Sequence, residues 1–214
     1  MPRRVTRGIV EKKRLSAFSE RMKPRRVVIV GIPGVGKSTI VKRVVERLES
    51  NRLEFKVVNY GTLMMDRASK LHGVKSRDDM RKLSVKVQRG LQVKAASEIS
   101  SFKDELVIVD THLFIATSEG FWPGMPLDVL EALKPTNLVL IVATAEEILQ
   151  RRQNDITRAR EAGTKESLEA ELFAANTLFY ASSLVCGCPA LVVRNSAGPV
   201  DSVAEKIINA VLSS

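Results

Sequence analysis

Arg26-Val27-Val28-Ile29-Val30-Gly31-Ile32-Pro33-Gly34-Val35-Gly36-Lys37-Ser38-Thr39 is an apolar run that ends in a glycine-spaced loop. The pattern G-x-x-x-x-G-K-[ST] occupies Gly31 to Ser38, and Ile40, Val41, Val44, Val45 and Leu48 recur behind it at helical spacing. Strand, loop and helix therefore follow in the order that aims successive N–H groups and a helix N-terminus at one anion. Such a site suits polyphosphate. Lys37 would set a point charge at the β and γ phosphates, and the Ser38 hydroxyl would ligate Mg²⁺. The competing reading is a glycine-rich turn that matches eight residues by chance. The β-branched run before it and the amphipathic segment after it count against that.

Working outward, the composition bounds what surrounds this loop. A chain of 214 residues can be one domain, burying about 70% of its unfolded surface without a structural staple. Its only cysteines, Cys186 and Cys188, flank a single glycine, far from His72 and His112. That is neither zinc-site spacing nor a disulfide framework, so inert thiols in a reducing compartment are expected. Apolar runs such as Leu138 to Ala143 have strand length, not membrane length, and the basic first residues lack the apolar stretch of a secretory signal. A cytoplasmic protein without a membrane span is the expectation.

Charge is concentrated at one end. Residues 1–26 hold ten Lys or Arg and two Glu, a net +8 of the formal +10. This basic N-terminal extension could tether a nucleic-acid backbone. It could equally be a solvated tail, or sequence ahead of a start at Met22. Residues 27–214 are expected to form the single folded domain.

Beyond the loop, apolar strand-like runs alternate with helix-like ones. Phe55 to Asn59, Leu106 to Asp110, Leu138 to Val142 and Ala190 to Val193 join the first strand to make five. From Gly61 the chain turns helical through Arg67 and toward Leu71, and a helical hairpin from about Arg77 to Ser101 carries Met80, Leu83, Val87 and Leu91 on one stripe. Continuous apolar strands separated by helices predict an α/β fold, a doubly wound five-stranded parallel sheet with helices on both faces. Ligands of such sheets bind beyond the carboxyl ends of the strands, where Gly31, Asn59, Asp110 and Thr144 should emerge. Asp110, at the end of an otherwise apolar strand, suits the metal side of a nucleotide, although it could simply cap the next turn. His112 could touch a substrate phosphate or be held within its loop. Arg151, Arg152, Arg158 and Arg160 follow the fourth strand closely. Helical spacing also allows Arg151, Asp155 and Arg158 to form a solvated salt-bridged stripe, but beside a phosphate loop they read as a lid over a triphosphate.

The chain resembles the archaeal type of adenylate kinase, a compact trimeric branch of the nucleoside monophosphate kinases. The matching blocks are GIPGVGKST at 31–39, VNYGTLM at 58–64, RDDMRKL at 77–83, VIVDTH at 107–112, GMPLDVLEALKP at 124–135 and EEILQRRQNDITRAR at 146–160. The resemblance implies a phosphotransferase with a phosphate group as acceptor, Mg·ATP + AMP ⇌ 2 ADP, and a homotrimer. Gly31, Ile32, Pro33, Gly34, Val35, Gly36, Lys37, Ser38 and Thr39 would hold the ATP phosphates. It further implies a monophosphate-binding region over about 59–101, in which Arg81 pairs with the AMP phosphate and Thr62 helps hold it. Arg151, Arg152, Arg158 and Arg160 would form a short lid over about 150–165, the turn from Asn195 to Gly198 would lie against adenine, and Asp110 would orient Mg²⁺ through water. The chain departs from the family pattern at Glu161, where Asp is common, and at Phe121-Trp122, where Tyr-Leu is common. Two other readings fit the residues: a kinase for a different nucleoside monophosphate, and a nucleic-acid-associated P-loop ATPase. A second phosphate pocket has no use in the latter.

Overall fold

The computed structural model describes residues 24–50, 54–154, 163–196 and 198–212. Strands β1 (Arg25–Val30), β2 (Phe55–Asn59), β3 (Leu106–Asp110), β6 (Asn137–Val142) and β7 (Ala190–Arg194) form one parallel sheet in the order β2-β3-β1-β6-β7. β1 lies at its centre because it is apolar on both faces: Val27, Val28, Ile29 and Val30 are all buried. β1 begins at Arg25, so Arg25 and Arg26, counted in the basic extension, are strand residues. Arg26 donates through Nε to the Lys134 carbonyl at 2.8 Å. The rest of the extension, residues 1–23, lies outside the described residues.

Helices cover both faces. On one side α1 (Lys37–Ser50) and α8 (Val200–Leu212) pack Val44, Leu48, Ile207 and Ile208 against Val27, Ile29 and Ile108. Arg43 ties the two helices together by donating to both oxygens of Asp201, at 2.7 and 2.8 Å. Those guanidinium hydrogen bonds hold the Asp201 carboxyl well below its ordinary range. The other side is covered by α4 (Val85–Ser101), α5 (Leu127–Leu133) and α7 (Lys165–Cys186), which bury Leu91, Ile99, Leu133 and Phe179. Cys186 and Cys188, either side of the Gly187 turn that ends α7, are free thiols. Burial pushes both upward in pKa, Cys188 to about 12.

The helical hairpin read from sequence is two helices of unequal length, α3 (Arg77–Lys82) and α4. They separate at Leu83 and Ser84, where the Ser84 hydroxyl accepts from the Val87 N–H and starts α4 afresh. An antiparallel hairpin, β4 (Phe114–Thr117) and β5 (Gly120–Pro123), has no counterpart in the sequence reading. It projects from the end of β3 and is held by edge-to-face packing of Phe114 on Phe121. Within the described residues no helix is long and apolar enough to cross a membrane.

Candidate nucleotide site

In this strand order the connection leaving β1 runs to β2 on one side, and the connection leaving β3 passes to β6 on the other. The crevice between the ends of β1 and β3 is thus the switch point at which open α/β sheets bind ligands. Loop 31–36 closes one wall of it. Gly34 and Gly36 have φ of +93° and +86°, conformations that L side chains rarely adopt, and they curl the loop tightly enough to start α1 at Lys37. A cleft of about 760 Å³ opens here, walled by the loop, the end of β2, α3, the end of β3 and α6 (Ala145–Asn154).

Lys37 is buried and pairs with Oδ1 of Asp110. The other oxygen of Asp110 accepts from Nδ2 of Asn59 at 2.9 Å. Ser38 and Thr39 follow in the first turn of α1, exposed to the cleft. Ser38 and Asp110 offer a hydroxyl and a carboxylate oxygen, hard donors of the kind Mg²⁺ prefers when it keeps most of its ligands as water and phosphate oxygen. The residues therefore fit that ion.

On the opposite wall, the chain turns from β2 directly into α2 (Tyr60–His72), capped by Asn59. Oδ1 of Asn59 accepts from both the N–H and the hydroxyl of Thr62, each at 3.0 Å. Arg77 reaches the same hydroxyl with Nη2 at 3.3 Å and lines the cleft, as does His112. Arg81 stands one turn further along α3, exposed, its Nη1 on Asp78 at 2.7 Å, and is not part of the cleft wall.

The third wall is α6. Its N-terminus is fixed by a reciprocal cap: the Thr144 hydroxyl accepts from the Glu147 N–H at 3.1 Å, and Glu147 accepts from the Thr144 N–H at 2.9 Å. That backbone hydrogen bond holds the Glu147 carboxyl below its usual range. Arg151, at the other end of the helix, donates to the carbonyls of Val35 at 3.2 Å and Asn195 at 3.0 Å. Arg152 donates to the Pro33 carbonyl at 3.1 Å and is clamped by both oxygens of Glu171 on α7. Both guanidinium groups thus line the cleft and grip carbonyls of the loop. Asn195 is buried and adds a third grip, Nδ2 to the Val35 carbonyl at 2.7 Å. Gly198 is exposed beyond it, and its N–H donates to the Ser196 carbonyl. Arg158, Arg160 and Glu161 lie outside the described residues.

Of the residues singled out from sequence, the structure thus brings the loop, Asp110, His112, Arg151 and Arg152 to one cleft, with Thr62 and Asn195 hydrogen-bonded to the wall residues Asn59 and Arg151. The sequence reading sets Asn59 at the ligand-binding end of its strand without giving it a role, and gives Arg77 none. For Asn59 the available signal was its place immediately before a helix, as an N-cap. For Arg77 it was the i, i+4 spacing that puts it on the same face as Arg81.

A family model described as an AAA domain matches residues 30–169. The adenylate kinase of Pyrococcus horikoshii is 46% identical over 147 residues, covering 68% of this chain and 74% of that protein. The adenylate kinase of Thermoplasma acidophilum is 41% identical over 186 residues, 87% of this chain and 98% of its own length. Among solved structures, shikimate kinase from Acinetobacter baumannii in complex with shikimate superposes with a TM-score of 0.52 over 92% of this chain and 97% of its own. At 18% identity that likeness speaks for the fold alone. With P-loop, parallel sheet and near full-length coverage by such relatives, the chain belongs to the adenylate kinase family of phosphotransferases.

Proposed function

We propose that this chain moves the terminal phosphoryl group of Mg·ATP to AMP, reversibly, to give two ADP, as an adenylate kinase of the archaeal type. The observation that carries the reading is a single cleft with two anion-attracting walls: the loop with Lys37 on one, and Thr62 with Arg77 on the other. A hydrolase needs the first wall only.

Phosphoryl transfer leaves the protein little covalent work, so catalysis consists of alignment and charge neutralisation. The N–H groups of loop 31–39 and the Lys37 ammonium hold the donor phosphates. Ser38 and Asp110 would hold Mg²⁺, which when bound neutralises charge on the β- and γ-phosphate oxygens. On the acceptor side, the region 59–101 receives the monophosphate through Thr62, Arg77 and Arg81. Arg81 joins by turning from Asp78, a surface pair that costs little to break. Arg151 and Arg152, with Arg158 and Arg160, form the lid over about 150–165 that excludes water. The turn from Asn195 to Gly198 flanks the adenine of ATP.

Three further assignments belong to this reading. The domain runs from about residue 25, where β1 begins, to 214, and the protein works in the cytoplasm. It also assembles as a homotrimer. Support for assembly comes from α7, which leaves Phe173, Tyr180 and Leu184 at 75%, 55% and 85% exposure. With Thr177 these residues follow the alternating three- and four-residue spacing of a helix-packing seam. Light scattering on the purified protein should read three chain masses, and Tyr180→Glu with Leu184→Glu should reduce it to one.

The deciding experiment is ADP formation from Mg·ATP with no acceptor and with AMP, CMP, UMP or GMP. Turnover with AMP alone is expected; preference for another acceptor, or ATP loss without one, overturns the assignment. In the same assay Arg81→Ala should raise KM for AMP about tenfold or more, the value of one charge-assisted pair, and leave KM for ATP within twofold. Equal loss toward both nucleotides would remove Arg81 from the acceptor side.

A further inference from the structure

Asn59 is the last residue of β2 and the N-cap of α2. The parallel register sets it opposite Asp110, the last residue of β3, so the two side chains leave neighbouring strand ends together. Both halves of its amide are used: Nδ2 donates to Oδ2 of Asp110 at 2.9 Å, and Oδ1 accepts from the N–H and the hydroxyl of Thr62. The opposite orientation of the amide would face its NH₂ against the Thr62 N–H and its oxygen against a carboxylate, so the partners fix it. Lys37 pairs with the remaining oxygen of Asp110, and Arg77 shares the Thr62 hydroxyl. One continuous chain, Lys37–Asp110–Asn59–Thr62–Arg77, therefore crosses the cleft floor from the donor wall to the acceptor wall.

We infer that Asn59 is a positioning residue for phosphoryl transfer: its amide fixes the Asp110 carboxylate on the donor side and the start of α2 on the acceptor side as one unit. The inference rests on the adenylate kinase reading and names no group that touches the transferred phosphoryl. Asparagine suits the position for a chemical reason. Aspartate caps a helix equally well but would set a second carboxylate against Asp110, and serine caps but presents no amide to it. The two arms of the side chain can therefore be removed separately.

Asn59→Ser keeps a cap for α2 and loses the bond to Asp110; Asn59→Ala loses both. Calorimetry on the full chain reads the affinity for Mg·ATP, for ATP without metal and for AMP, while a steady-state assay reads kcat and the Mg²⁺ concentration for half-maximal rate. For the serine variant, about a fivefold weaker Mg·ATP affinity, about a tenfold lower kcat and a severalfold higher Mg²⁺ requirement are expected. Its affinity for AMP should stay within twofold of the parent. The alanine variant should repeat those losses and weaken AMP about fivefold as well. Rescue of AMP affinity by serine but not by alanine is a result that loss of stability alone would not give. The inference is overturned if serine leaves kcat and Mg·ATP affinity at parental values, or if both variants weaken every ligand alike. Failure of the parent to form ADP from AMP would instead strike the functional reading. The Mg·ATP arm of the calorimetry would still decide whether Asn59 positions Asp110.

Discussion

Lys37→Ala should lower kcat by about 10²–10³-fold, the loss seen when one preorganised electrostatic contact to developing charge is removed. Lys37 is the first residue of α1, so the positive charge of its ammonium adds to that of the helix N-terminus at the same point of the cleft. Among the described residues, Arg151 and Arg152 on the α6 wall donate to the carbonyls of Val35, Asn195 and Pro33 and so do not stand in for it. The variant has a second consequence, because the Asp110 side chain is only 17% exposed and would lose its ion-pair partner, keeping Asn59. Thermal unfolding should therefore show Lys37→Ala less stable than the parent and the double variant Lys37→Ala/Asp110→Asn partly restored, while both stay inactive. Near-normal kcat in the single variant would remove Lys37 from the site. Restored stability with restored activity would mean the pair is structural.

The parts of this molecule legible in its sequence are those set by local chemistry. The run Val27 to Val30 can only be a doubly covered strand, the glycines at 34 and 36 mark positive φ, and Asp110 stands out as the carboxylate that ends an apolar strand. Five strands, their parallel arrangement and the helices on both faces follow from such signals. What was not legible depends on distant partners. The β4–β5 hairpin is short and mostly exposed, so no alternation of buried and exposed residues marks it. Arg77 and Arg81 are equivalent by spacing, and only the placement of α3 turns Arg77 to the cleft. Arg151 and Arg152 read as groups for phosphate, and the structure gives them backbone carbonyls more than a hundred residues away, with Glu171 as a counter-ion from a different helix. The grip of these arginines on the loop is a property of the assembled fold and has no periodic signature.

That grip sets the expectation for Gly36→Ala. A Cβ at Gly36 would run into Nδ2 of Asn195, closer than such contacts occur, and a residue with φ of +86° is strained wherever the space comes from. Asn195 has no room to withdraw. Its side chain is buried on the Val35 carbonyl, its own N–H donates to Val142 at the end of β6, and Arg151 holds its carbonyl. Backbone strain of about 1–2 kcal/mol adds to about 1–3 kcal/mol for a buried hydrogen bond broken on one side. The loop can relieve both by opening, whereas the sheet beneath it cannot move without exposing β1. Affinity for ATP should accordingly fall about 10²-fold or more, at 1.4 kcal/mol per decade, while the melting temperature changes little. Calorimetry and thermal unfolding on the same sample separate the two. Gly90 provides the contrast: it is an exposed glycine inside α4 with open space at its Cβ, so Gly90→Ala should raise stability by about 0.5–1 kcal/mol and leave nucleotide affinity intact. If Gly36→Ala bound ATP as the parent does, the loop would not be the donor phosphate site, and the contacts that Arg151, Arg152 and Asn195 make with it would be packing alone.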